Sequence, residues 1–139
     1  MPIYHCFSPP GLITTAAKAR IASQITDIHC DATGAPRSFV NVVFQEVAAG
    51  DCYVADEVAA RSYLTGLIRH GRSLQTRQSM LHALSSMWSQ TTGQSEAELI
   101  VTLTEIDPAN SIEAGAIVPE PGEEQQWLEH NPAALGEKS

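Results

Sequence analysis

Val42-Val43-Phe44-Gln45-Glu46-Val47 is matched 59 positions later by Val101-Thr102-Leu103-Thr104-Glu105-Ile106, and this pair of stretches decides the fold. Each is rich in β-branched and apolar residues, as a strand packed on a core should be. The same offset carries Thr14 onto Ser73 and Gly34 onto Gly93. A hydroxyl residue before a helical pattern caps it, and a glycine after the pattern ends it. One gapless register therefore aligns cap, helix end and strand, which marks an internal repeat.

Working outward, residues 3 to 7 form a first strand, stopped by Ser8-Pro9-Pro10-Gly11, which cannot continue a ladder. Thr14 or Thr15 caps a helix whose Ala17, Ile21, Ile25 and Ile28 fall at helical spacing, and Thr33-Gly34 closes it. Pro36 leads into a strand over Phe39 to Val47. Residues 48 to 60 read as a mobile connection. The order then returns, with a strand over Tyr63 to Ile68, an N-cap at Ser73, and a helical face of Leu74, Arg77, Leu81, Leu84 and Trp88. Gly93 ends that helix, and Leu99 to Ile106 is the last strand. A strand-helix-strand unit joins parallel neighbours by a right-handed crossover.

The expectation is an α/β protein, an α+β sandwich, in which two tandem β-α-β repeats form one four-stranded mixed sheet with two helices on one face. It is a single domain over residues 2–130, with repeat one about 2–60 and repeat two about 61–120, and a polar C-terminal tail over 131–139. The tail from Glu120 onward is acidic, with Trp127 and Leu128 as anchors and Asn131 to Ser139 frayed. With no third long helix to cover the bare sheet face, neighbouring subunits are the expected cover.

A chain of 139 residues with 43% hydrophobic and 17% charged residues can bury a core without staples. Its net charge of -8 argues against nucleic acid and anionic membranes, both of which need clustered cations. Cys6, Cys30 and Cys52 are odd in number and lack paired spacing, and the N-terminus has no leader pattern, so a cytoplasmic protein with free thiols is expected. No apolar run nears the roughly 20 residues of a membrane span.

Several residues carry chemistry. Removal of Met1 would leave Pro2 with a free secondary amine, and α-amino groups ionise at about pH 7.7 to 8.0, so Pro2 can serve as acid or base. The alternative is that Pro2 merely begins an edge strand. Arg69 and Arg72 flank Gly71 at a strand end, where two guanidinium forks can converge on one carboxylate. Pairing with surface acids is the alternative for both. His29, beside Ile28 at the edge of the helical stripe, is either a buried histidine bonded to backbone or a functional donor. Glu113 follows Asp107-Pro108 in an irregular segment, as an exposed loop acid also would. His5, His70, His82 and His130 share no ligand spacing with acids or cysteines, so no metal is expected.

Taken in order, Pro2, then Ile25-Thr26-Asp27-Ile28-His29, Phe44-Gln45-Glu46, Arg69-His70-Gly71-Arg72-Ser73, Ile112-Glu113-Ala114-Gly115 and Pro119-Glu120-Pro121-Gly122 with Trp127 follow one pattern. Over residues 2 to about 130 this resembles the tautomerase superfamily, and within it the cis-3-chloroacrylic acid dehalogenase branch. The resemblance implies a homotrimer without cofactor that acts on a small carboxylate. Pro2 would be the acid or base, Arg69 and Arg72 would bind the substrate carboxylate, His29 would donate a hydrogen bond to it, and Glu113 would activate water. The chain departs from the pattern at Thr102, where the branch has a tyrosine that helps orient that water. Threonine is shorter and no substitute for a phenol. The implied function is an enzyme working through an N-terminal proline on a short unsaturated or 2-oxo carboxylate, with tautomerase and weak hydratase or cis-3-haloacrylate dehalogenase activity. The alternative is a non-catalytic oligomeric anion-binding protein.

Overall fold

In the computed structural model, which describes residues 1–135, the chain runs β1 (Ile3–Ser8), α1 (Thr15–Thr33), β2 (Asn41–Glu46), β3 (Tyr53–Val54), β4 (Glu57–Val58), β5 (Ser62–Arg69), α2 (Leu74–Thr92), β6 (Leu99–Ile106), β7 (Ile112–Glu113), β8 (Ala116–Ile117) and α3 (Glu124–His130). The helix signals read from the sequence are the ones the backbone uses. Thr14 accepts the amide of Ala17 and Ser73 that of Thr76, while Gly34 and Gly93 sit at φ 74° and 77° and donate to Cys30 and Ser89. Only glycine holds that left-handed conformation without strain, so both helices end at the same point of the repeat.

The four long strands lie in the order β2-β1-β5-β6. β1 pairs parallel with β2 and β5 with β6, and β1 meets β5 antiparallel, making one mixed sheet. Tyr4 and Cys6 of β1 and Leu64 and Ile68 of β5 form the core with Ile21 and Ile25 of α1 and Leu84, Met87 and Trp88 of α2. Both helices therefore cover one face. On the other, Ile3, Val43, Leu67 and Ile100 are exposed, and Ile100 keeps 55% of its surface in water. Such a row of apolar side chains exceeds what scattered surface residues supply.

Four local readings are corrected. Of the helical face expected on Leu74, Arg77, Leu81, Leu84 and Trp88, Leu84 and Trp88 are buried as expected, but Met80 and Met87 complete the buried face and Leu74 is exposed. Met80 and Met87 complete the spacing around Leu84, and two methionines among serines gave a weak periodic signal. Phe39 is not in the strand: residues Arg37–Phe39 make a 3-10 turn and Phe39 is buried against Trp127 at 5.6 Å between rings. The connection over residues 48–60 contains the hairpin β3–β4, which recurs 59 positions later as β7–β8. The tail holds the helix α3, and Pro132–Leu135 form a further turn. Within the tail expected to fray, residues 136–139 lie outside the described residues.

Candidate active site

The N-terminal residues are threaded into the molecule. Asn41 donates both its backbone amide, at 3.0 Å, and its side-chain amide, at 3.3 Å, to the Pro2 carbonyl. The Pro2 ring is fully buried. The Met1 amine in turn donates to Glu113 Oε1 at 2.9 Å as an ion pair. Standard bond lengths put neighbouring backbone nitrogens at most about 3.7 Å apart, so the Pro2 nitrogen lies within roughly 6.6 Å of that carboxylate oxygen. Glu113 reaches it because β7 and β8 are joined by Ala114-Gly115 at φ 51° and 78°, the primed turn that suits a two-residue hairpin. An alanine held at positive φ carries strain, here directly beside the acid. Met1, Ile3, Asn41, Val43, Ser111, Ile112 and Glu113 enclose an open cleft of about 380 Å³.

His29 continues the stripe of Ile21 and Ile25 by one helical turn and is 2% exposed. Its partner is a side chain and not the backbone: Tyr4 Oη lies 2.8 Å from Nδ1. Burial, then the charges of Arg72, Arg69 and the N-terminal amine, push the imidazole down to about 4. Burial likewise raises the Tyr4 phenol, so it keeps its proton. With Tyr4 donating to Nδ1, the ring proton sits on Nε2, which can then donate in its turn. Tyr4 can occupy this place because it stands opposite Gly66 on β5, where a Cβ would come within 2.7 Å of its ring.

Arg69 and Arg72 straddle Gly71, whose φ of 97° makes the turn that sets them side by side. They differ in circumstance. Arg69 is buried, donating to the Pro119 carbonyl at 2.9 Å and to Glu124 at 2.8 Å with its plane 5.4 Å over the Phe39 ring. Arg72 is half-buried, donates only a long 3.3 Å bond to the Thr33 carbonyl, and has a buried Nε without a partner among the described residues. Burial and the charge of Arg69 lower its affinity for its proton.

Thr102 is not joined to this group within one chain. It lies exposed on the edge strand β6, in register with Thr65 and, through it, with His5. Two strand spacings and three residues of rise separate it from Pro2, about 14 Å. Inside one protomer Thr102 and Pro2 therefore do not meet. Position on a strand was legible, but the two intervening ladders were not.

Folding also gathers groups that showed no common spacing. His70, Asp107 and Glu120 bring ligand atoms within 4.8 Å of one another on the surface. There His70 pairs with Glu120 at 2.8 Å, and that bond raises the imidazole's pKa. Cys6, Cys30 and Cys52 are free thiols, and burial pushes Cys6 up to about 12. No helix among the described residues is long and apolar enough to cross a membrane.

Residues 1–132 match the family described as "Putative oxalocrotonate tautomerase enzyme". The chain is 30% identical to N1, a solved member of the cis-3-chloroacrylic acid dehalogenase family, with a TM-score of 0.88 over 96% of this chain and 94% of that one. It is 25% identical to Pt0534, solved after inactivation by 2-oxo-3-pentynoate, with a TM-score of 0.76 over 84% and 94%. A fused 4-OT solved as a symmetric trimer is 26% identical, with a TM-score of 0.77 over 84% and 94%. No curated protein matches the sequence.

Proposed function

Since the chain belongs to the tautomerase superfamily, in its cis-3-chloroacrylic acid dehalogenase branch, we propose that it is an enzyme working through the amine of Pro2 once Met1 is removed. The observation that carries this reading is the ion pair of the N-terminal amine with Glu113 at 2.9 Å, next to a proline clamped by Asn41. Loss of Met1 uncovers a secondary amine already held beside a carboxylate, at the edge of the 380 Å³ cleft.

The substrate is a short unsaturated or 2-oxo carboxylate. Its carboxylate meets the half-buried Arg72, which lacks an acceptor for Nε, and His29 Nε2 donates to the same end of the molecule. Charge-assisted bonds of this kind contribute about 1.5 to 3 kcal/mol each. In tautomerisation the neutral Pro2 amine takes a proton from the enol oxygen and returns one to carbon. In hydration the Pro2 ammonium gives its proton to one alkene carbon while Glu113 takes a proton from water, whose oxygen bonds the neighbouring carbon. If that carbon bears chloride, chloride then leaves as the new hydroxyl gives its proton to the now neutral Pro2 amine, and the carbonyl forms.

The working form is a homotrimer in the cytoplasm. The exposed apolar row of Ile3, Val43, Leu67 and Ile100 supports a cover by other copies, and three free thiols suit a reducing compartment. Thr102, distant from its own Pro2, would meet a Pro2 only across a subunit boundary. Its short hydroxyl holds water poorly, so tautomerisation should exceed dehalogenation.

A second reading is favoured by the Met1 contact itself. If Met1 is kept, its amine occupies Glu113 and the Pro2 nitrogen stays in a peptide bond, leaving an oligomeric anion-binding protein. Turnover of a simple enol, followed by absorbance, separates the two. Protein lacking Met1 should ketonise the enol, and blocking the Pro2 amine should lower the rate at least a hundredfold. Equal rates with and without the free amine would overturn the catalytic reading.

A further inference from the structure

The ends of β5 and β6 carry a second group of ligating side chains. The two strands run parallel with Arg69 opposite Ile106, so His70 and Asp107 leave the sheet side by side, and the His70 amide donates to the Ile106 carbonyl at 2.8 Å. Glu120 comes to the same place because Arg69 holds the carbonyl of Pro119 before it, at 2.9 Å. One imidazole and two carboxylates thereby each place a ligand atom within 4.8 Å of the others, with His70 Nε2 2.8 Å from Glu120 Oε2. Asp107 accepts the Ala109 amide with Oδ1 alone, at 2.9 Å, and has no ion-pair partner among the described residues. The nearby cations Arg69 and Arg77 are held by Glu124 and Glu105. Two acids against one imidazole leave the group net negative whichever state the imidazole takes. Glu120 also lines, with Ala109 and Trp127, an open cleft of about 560 Å³ that gives ions and water access.

We propose that His70, Asp107 and Glu120 form a binding site for one divalent cation of the zinc class. An imidazole nitrogen among carboxylate oxygens suits a borderline ion such as zinc better than magnesium or calcium, which prefer oxygen alone. Ligand atoms about 2.0 to 2.2 Å from one ion stand roughly 3 to 3.5 Å apart, so the His70 and Glu120 atoms must open by about half an ångström and Asp107 must close in by at most about 2 Å. The side chains of His70 and Glu120 keep 43% and 51% of their surface in water, so rotation about side-chain bonds supplies that movement. The ion takes the place of the proton between them, since these ligands bind a metal deprotonated. Three protein ligands leave a position for water. His70 and Asp107 follow strands of the sheet while Glu120 belongs to the segment leading to α3, so the bound ion staples that segment to the sheet beside the bond from Arg69 to Pro119. The expectation of no metal rested on spacing along the chain, and these ligands meet only across the parallel pair β5 and β6, which spacing does not register.

The test is calorimetric titration of the full chain, stripped of metal with a chelator, with zinc chloride, together with thermal unfolding with and without the ion. The wild type should bind one equivalent per protomer and unfold at a higher temperature in its presence, since an ion that binds the folded state alone stabilises it. Asp107→Asn keeps an acceptor for the Ala109 amide and leaves the pair of His70 with Glu120 intact, but removes a charged ligand. It should bind zinc at least about tenfold more weakly and lose the rise in unfolding temperature, as should Glu120→Gln. His82 is exposed on α2 outside the group, and His82→Ala should bind as the wild type does. No saturable binding up to millimolar zinc would overturn the proposal. So would binding that neither acid variant weakens, or that His82→Ala abolishes, either of which marks an adventitious ion elsewhere. Should one acid variant not fold, the other decides. None of these readouts involves turnover, so the result is independent of the catalytic reading.

Discussion

Acid should unfold this protein through His29. The imidazole is 2% exposed, bonded to Tyr4, and surrounded by Arg69, Arg72 and the N-terminal amine, which together with burial push it down to about 4 from the ordinary 6.5. The folded value lies below the unfolded one, so the unfolded chain binds the proton first. Stability is complete above about pH 6.5 and is lost as the pH falls toward 4. The full gap corresponds to about 3 kcal/mol, of which about 2 kcal/mol is gone at pH 5. The assay is urea unfolding at fixed protomer concentration between pH 8 and pH 5, on the wild type and on His29→Gln. Glutamine still offers Tyr4 a partner but does not titrate, while other groups titrate alike in both proteins. The stability advantage of the wild type over the variant should therefore shrink by about 2 kcal/mol across this range. An advantage constant within about 0.5 kcal/mol would show that His29 is protonated when folded, and the reasoning from its burial would fail.

Gly66→Ala should destabilise by about 1 to 3 kcal/mol, the usual penalty of overpacking, because the new Cβ meets Tyr4 at 2.7 Å and Leu103 at 2.9 Å; thermal unfolding checks it. Arg72→Ala should weaken carboxylate binding by about ten- to a hundredfold with little change in stability. Arg69→Ala should instead cost about 3 to 5 kcal/mol of stability, since it strands Glu124 and the Pro119 carbonyl; titration and urea unfolding of both variants separate the roles. Light scattering at micromolar concentration should return three times the protomer mass, and a monomer would leave the apolar sheet face unexplained.

The fold was legible because its punctuation is local. Thr14, Ser73, Gly34 and Gly93 cap and end the helices from within one turn of the backbone they serve. The site was legible only in its residue types. Pro2, Glu113, His29 and Arg72 were singled out, but their supports were not, since each support acts across the fold. Tyr4 meets His29 over 25 positions, Asn41 meets Pro2 over 39 and Glu124 meets Arg69 over 55. Hydrogen-bond complementarity at that range leaves no periodicity to read. The two arginines looked equivalent for the same reason. What distinguishes them is the pair of acceptors brought by residues 119 and 124, and that pair exists only after the C-terminal segment has closed over β5.

The central claim, that the Pro2 amine is free and reactive, can be tested by peptide mass spectrometry after treatment with 2-oxo-3-pentynoate, whose conjugated triple bond an unprotonated amine attacks. The account predicts an N-terminal peptide that begins at Pro2 and carries one equivalent of reagent. A peptide that begins at Met1, or one that begins at Pro2 and stays unmodified, would contradict it.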